Sequence, residues 1–300
     1  MNKYITIDAP AKLNLNLFVK QKGKNGLHFL ESDICFLGLT DKIFFRFSNI
    51  DLFYQCNKEE ELIIDPNNNL ILQALKKFRN LTGWKKCFSI FLKKNIPIGA
   101  GLGGGSADAA ATLVVLKKLF NFDTKENKIT KNILYDIAKE IGSDIPACIE
   151  SKDLKLRGYG DKIFRIKNPD NFYFLIIYPN IKLSTKDVFN HYEKNPIKIQ
   201  GSNIFWENIN INNSLLPSAV RLAPEISSIL NSLKKSKNVK AYGMTGSGSS
   251  CFGIFENLND ITSSLKFFDK RYFIWFGEKK NYNLNRVSYC KVLENKFQIM

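Results

Sequence analysis

A chain of 300 residues, 44% hydrophobic and 13% aromatic, holds material for one large or two ordinary cores, which excludes disordered and collagen-like architectures. Charged residues make up 24%, no apolar run approaches the ~18 residues that cross a bilayer, and the opening MNKYITIDAPAKLNLNLFV lacks the features of a secretion signal. Net charge is +16, with 44 basic residues against 28 acidic, which suits nucleic acid or an anionic metabolite. The lysine pairs Lys85/Lys86, Lys93/Lys94, Lys117/Lys118, Lys234/Lys235 and Lys279/Lys280 are dispersed, however, which favours compositional bias over a nucleic-acid footprint. Six cysteines without a C-x-x-C pair and only two histidines leave neither a zinc site nor a disulfide framework. The expectation is a soluble cytoplasmic protein that starts at Met1 and makes no membrane contact.

Residues 11–19, AKLNLNLFV, alternate strictly and predict a strand with Leu13, Leu15 and Leu17 on its packed face and Lys12, Asn14 and Asn16 on the other. Further strands are predicted around 34–39, 43–47 and 86–92, with a helix from Asn68 or Asn69 to Gly83 before the last of them. The alanine-rich run SADAAATLVVLKKLFN predicts a strong helix with Ser106 as its N-cap, and ITKNILYDIAKEIG a second one ended by Gly142. Residues 172–179 are almost wholly apolar and predict a central strand covered on both faces. Helix follows around Pro217 and Pro224, then strand at 251–255, helix at 258–268 and strand at 272–276. Turn chemistry in KNPDN, 167–171, divides the chain into 1–168 and 169–300. The mixture predicts an α+β fold of two domains meeting at a cleft.

The sharpest chemical signal is PIGAGLGGGSADAAA, 97–111, where five of the 18 glycines fall within seven positions and lead into a helix. Glycines let backbone N–H groups approach a ligand unobstructed, and the helix start adds orphan donors and partial positive charge. Pro97, Ile98, Gly99, Ala100, Gly101, Leu102, Gly103, Gly104, Gly105 and Ser106 therefore form a candidate phosphate cradle. No Lys-Ser/Thr follows the glycines as in a P-loop, and their spacing is not that of a dinucleotide fingerprint. Asp108, which would repel a triphosphate, reads as helix capping or packing.

Three weaker signals stand beside it. Asp144, in GSDIPACI, sits where an aspartate ordinarily caps a short helix before proline; Lys12 could be a solvated lysine; Gly246 and Gly248, in AYGMTGSGSSCFGIF, form either a plain turn or a second backbone wall. Together they acquire a chemical meaning. Phosphoryl transfer to an alcohol needs phosphates held still, charge neutralised, and a hydroxyl oriented and relieved of its proton, and a lysine and a carboxylate supply the last two.

In order and spacing, PAKLNLNLFV, PIGAGLGGGSADAAA, GSDIPACI and GMTGSGSSCFGIF resemble the GHMP kinase family, from about Ala9 to about Phe255. The resemblance implies a ribosomal-protein-like N-terminal domain carrying ATP with Mg²⁺ in the glycine loop, and a ferredoxin-like C-terminal domain across a substrate cleft. It also implies Asp144 as general base, Lys12 as the residue that orients the hydroxyl, and Asn69 and Leu70 at the adenine. The wording is similar to the branch acting on a cytidine diphosphate derivative of methylerythritol; the alternatives are homoserine, mevalonate or sugar kinases. For that branch the resemblance implies His28 and Phe189 at the cytosine, with Leu27 where an aromatic is usual, and Thr185 and Asn14 as polar substrate contacts. A monomer or homodimer without a nucleic-acid partner is expected, and GYGD, 158–161, is assigned no chemistry.

Overall fold

The computed structural model describes residues 3–23, 26–57, 65, 67–124, 128–195, 204–283 and 287–291. Met1, expected as the first residue, and Lys24 and Asn25 of the expected cytidine-recognition segment lie outside them. In chain order the elements are β1 (Lys3–Asn14), β2 (Phe18–Lys22), β3 (His28–Ser48), β4 (Leu52–Cys56), α1 (Leu70–Thr82), β5 (Cys87–Lys93), α2 (Gly104–Asp123), α3 (Lys131–Ile141), α4 (Ile145–Glu150), β6 (Leu154–Gly158) and β7 (Lys162–Arg165). There follow β8 (Tyr173–Tyr178), α5 (Thr185–Lys194), β9 (Ile204–Trp206), β10 (Ile209–Ile211), α6 (Leu216–Leu222), α7 (Glu225–Lys235), β11 (Ala241–Met244), β12 (Cys251–Phe255), α8 (Leu258–Ser264), β13 (Phe273–Glu278) and β14 (Ser288–Lys291). None of the described helices is long and apolar enough to cross a membrane.

The first sheet runs β14–β1–β3–β5–β4, with β2 and the β6–β7 hairpin joined to β3. The second is antiparallel, in the order β11–β12–β8–β13, which is the ferredoxin-like arrangement and makes β8 central as its apolar run predicts. Four layers result. Helices α1–α4 pack on one face of the first sheet, through residues such as Phe78, Val115 and Ile149, and α5–α8 pack on the outer face of the second, through Val188, Ile226 and Ile261. Between the sheets, Leu13, Leu15 and Leu37 meet Phe174, Ile176 and Phe252 in a shared apolar seam.

The predicted strands at 34–39 and 43–47 are one 21-residue strand, β3, because β1 pairs along both parts of it. The pairing shifts register between Pro10 and Lys12, and this irregularity positions the site. Before it Ile5, Ile7 and Ala9 face the helices; after it Ala11, Leu13 and Leu15 face the second sheet. The even-numbered Lys12 and Asn14 are thereby turned to the helical side, where Thr6 and Asp8 do not point. The predicted strand over 11–19 is broken after Asn14, and its polar face is buried: Lys12, Asn14 and Asn16 are each about as enclosed as the leucines.

Helix α1 begins as its sequence indicates, with the Asn69 side chain accepting from the N–H groups of Ile71 and Leu72, and ends at Gly83 in the left-handed region. Helix α2 departs from expectation. Gly103, not Ser106, is its N-cap, because the glycines themselves supply the turn, so Ser106 lies inside the first turn.

The connection between β7 and β8 contains the expected division, but β14 returns to pair with β1, so the last described strand of 169–300 lies on the first sheet. Lys279 pins that return. Its ammonium lies 2.6 Å from Asp153 and 2.8 Å from Asp170, with the Asn168 carbonyl at 3.0 Å, and both Lys279 and Asp153 are nearly sealed from solvent. Lys279→Met should cost about 3 kcal/mol in urea unfolding, since Asp153 is left buried without its cation. A loss below about 1 kcal/mol would show that Asp153 is compensated otherwise.

Candidate active site

Between the two domains lies a cleft of about 720 Å³, and every residue from Pro97 to Ser106 lines it. The N–H groups of Gly99 to Gly103 have no acceptor among the described residues, and those opening α2 are orphans by geometry. They form a row of unused donors. The loop is clasped from both sides: its Leu102 carbonyl accepts from the Lys12 N–H at 2.9 Å, and its Ala100 carbonyl from the Ser250 N–H at 3.3 Å. Gly103 has φ +65°, and a Cβ there would stand 3.2 Å from Lys12 Cε. Gly101 has φ +77°, and a Cβ would stand 2.5 Å from the Gly248 carbonyl oxygen. The 245–250 loop is therefore a second wall, with Gly246 and Ser247 lining the cleft.

Lys12 and Asp144 meet at the end of this row. Lys12 Nζ is 2.9 Å from Asp144 Oδ2 and donates to Asn14 Oδ1 at 2.8 Å. Asn14 is held in turn by donating from Nδ2 to Ser32 Oγ at 2.7 Å and from its backbone to Thr245 Oγ1 at 2.8 Å. Asp144 occupies the N-cap position of α4 but its side chain makes no capping bond, so the ordinary explanation for an aspartate there is not realised. The Lys12 side chain is 6% exposed and that of Asp144 40%, so the carboxylate is open to the cleft while the ammonium is fixed from behind.

Asp108 is not the helix cap; it is packed in the interior, where a buried ammonium claims it. Lys94 Nζ lies 2.7 Å from Asp108 Oδ2 and also pairs with Asp41, whose other oxygen accepts from the N–H groups of Asn95 and Ile96. Burial pushes the Asp108 carboxyl up to about 8, with Lys94 pulling it back and Asp41 adding to the rise. Burial disfavours the Lys94 ammonium, but the two carboxylates outweigh that and hold its pKa above the ordinary value. The repulsion expected from Asp108 is thus cancelled beneath the loop.

Asn69 and Leu70 line the far end of the cleft, but Asn69 is already engaged as the α1 cap and donates its Nδ2 to Gln55 Oε1 at 3.4 Å. Asn14, Thr185 and Phe189 line it too, with the Thr185 hydroxyl 3.0 Å from that of Ser247. His28 does not line it. Its nitrogens contact the Lys20 carbonyl at 3.1 Å and Glu193 at 3.0 Å, while its ring stands 5.6 Å from that of Phe189. Leu27 is 57% exposed. Gln55, Lys94, Tyr159 and Lys182 line the cleft without having been expected. Tyr159 lies in the GYGD segment, whose two glycines were its only signal; Gln55 had none, standing next to last in strand β4.

The family model for the N-terminal domain of GHMP kinases matches residues 69–152, and that for the C-terminal domain residues 200–271. The chain belongs to the GHMP kinase family. A 4-diphosphocytidyl-2-C-methyl-D-erythritol kinase of Ehrlichia canis is 36% identical over 87% of this chain and 92% of its own length. One from Ruthia magnifica is 34% identical over 88% and 90%. Among solved structures, a 4-(cytidine 5'-diphospho)-2C-methyl-D-erythritol kinase shares the fold with a TM-score of 0.74, at 24% identity over 92% of this chain and all of its own.

In this GHMP kinase the meeting of the two glycine loops makes Gly101→Ala informative. The substitution strains a positive φ and wedges the loops apart, so ATP affinity measured by calorimetry should fall at least about tenfold. Unchanged affinity would mean that the loops need not touch to bind nucleotide.

Proposed function

We propose that this chain transfers the γ-phosphoryl group of ATP to the 2-hydroxyl of 4-diphosphocytidyl-2-C-methyl-D-erythritol, giving ADP and the 2-phosphate, in non-mevalonate isoprenoid precursor synthesis. The observation that carries the reading is the Lys12–Asp144 pair at 2.9 Å beside a row of unused backbone donors. The names of the relatives supply the acceptor.

In this reading the N–H groups of residues 99–106 hold the phosphate oxygens and gain strength as negative charge develops on them. Asp144 takes the proton of the acceptor hydroxyl, and Lys12, fixed by Asn14, orients that hydroxyl and offsets charge on the moving group. An Mg²⁺ carried by ATP would supply further neutralisation, and the Ser106 hydroxyl, which has no partner among the described residues, is the side chain of the loop that would help to hold it. Asn69 and Leu70 border the adenine. At the acceptor end the cytosine packs on Phe189 and against aliphatic Leu27, with Thr185 and Asn14 as polar contacts, and the base takes the place of Glu193 on His28. Leucine in place of an aromatic forgoes part of a stacking contact worth ~1–3 kcal/mol. The free thiols of Cys35, Cys87 and Cys251 suit the cytoplasm, and one chain lines the cleft, as either a monomer or a homodimer allows.

A coupled ADP-release assay over a panel of alcohols tests the reading. Turnover should be confined to the cytidyl acceptor, with homoserine, mevalonate and galactose inert; activity on one of those instead would displace the substrate assignment. Asp144→Asn should keep ATP affinity yet lower kcat about 10³-fold, because an amide cannot take the proton. Turnover within a few-fold of wild type would remove Asp144 from the base role.

A further inference from the structure

Three lysines and three aspartates line the cleft, and most of their charge is already spent on one another. Lys12 is matched by Asp144, and Lys94 by Asp41 and Asp108, while Asp65 adds a further carboxylate to the wall. The chain's net charge of +16 is therefore carried elsewhere, although the proposed reaction brings a triphosphate and a diphosphate ester into one space. Backbone N–H groups alone offer partial charges.

Lys182 differs from the other two lysines. Among the described residues no carboxylate pairs with its ammonium and no hydrogen bond engages it. Lys182 is exposed, but its stem is in contact with the glycine loop. It leaves the β8–α5 connection of the C-terminal domain and lays its methylene stem across Gly99 of the other domain's loop. A Cβ on Gly99 would come within 2.9 Å of Lys182 Cδ and 3.1 Å of Cε, and closer still to Cγ, so a larger residue at 99 would push the stem off the loop. A lysine packed along its stem keeps a solvated head, here directed by contact with the phosphate cradle's own backbone. The Thr185–Ser247 hydroxyl pair, on the same stretch and on the second glycine loop, lines the cleft with it.

We propose that Lys182 is a phosphate-binding residue: docked by its stem on Gly99, it brings the one uncompensated ammonium among the cleft's described residues to the phosphoryl oxygens of a bound nucleotide. The assignment rests on the cleft being the phosphoryl-transfer site. It gives glycine at position 99 a use beyond the turn itself, and it makes the phosphate site complete only when the two domains are together. The shared chemistry is a phosphate oxygen, belonging either to the triphosphate of the donor or to the diphosphate of the acceptor.

Calorimetric titration of the full-length protein with ATP and, separately, with CDP distinguishes the two. Lys182→Met keeps the stem on Gly99 and removes the charge; Lys182→Arg restores the charge. Lys182→Met should weaken one or both ligands about tenfold, Lys182→Arg should return to within about threefold of wild type, and thermal unfolding should be unchanged. Raising the salt should narrow the gap between wild type and Lys182→Met. A loss confined to ATP puts the ammonium on the triphosphate, and one confined to CDP puts it on the diphosphate. ATP and CDP affinities both within about twofold of wild type would overturn the proposal. A wild-type protein that binds both nucleotides but does not phosphorylate the cytidyl alcohol would sink the proposed reaction alone, since the binding result for Lys182 does not depend on turnover.

Discussion

An ammonium and a carboxylate from distant parts of the chain, Lys12 and Asp144, are held 2.9 Å apart at the edge of a backbone loop, and much of the fold can be traced to keeping them there. The register shift between Pro10 and Lys12 turns the lysine toward the helical side of the sheet. The end of α3 and the start of α4 bring the aspartate to meet it. Gly103 lets the loop pass over the lysine stem, and the main chain of Lys12 is itself bonded to that loop through Leu102. Moving any one of these would separate the pair from the donors beside it.

The cleft's electrostatics follow a consistent plan, in which full charges are paired and backbone dipoles are left unpaired. Lys94, buried between Asp41 and Asp108, stabilises the approach to the glycine loop without presenting its charge to the ligand. Asp41 ties the N–H groups of Asn95 and Ile96, which precede the loop, while the N–H groups from Gly99 onward stay open. In the proposed reaction such a site would be organised before the ligand arrives, and little reorganisation would accompany the transfer. The apolar seam between the sheets, where Leu13 and Leu15 meet Phe174 and Phe252, is the mechanical counterpart: it fixes the 245–250 loop against the 97–103 loop.

Local signals in the sequence carried far. The caps of α1 and the apolar run of β8 each reflect a requirement of a few adjacent residues, and each is met as written. Long-range pairing was not visible in this way. Strict alternation over residues 11–19 does not reveal a register shift, because the shift belongs to the pairing with β3 and not to β1. Asp108 looked like a packing residue because its partner, Lys94, was one lysine among many until the fold buried it. The same holds for Lys182, whose meaning comes from lying on Gly99 of the other domain, and for Gln55, which borders the cleft from an ordinary strand. The return of β14 to β1 likewise has no local signature.

The most direct measurement is a crystal structure of the protein with a non-hydrolysable ATP analogue and the cytidyl alcohol together. The γ-phosphate should lie against the N–H groups of residues 103–106, with the acceptor's 2-hydroxyl within hydrogen-bonding reach of Asp144. A triphosphate bound away from that loop, or an acceptor whose hydroxyl lies beyond the reach of both Lys12 and Asp144, would contradict it.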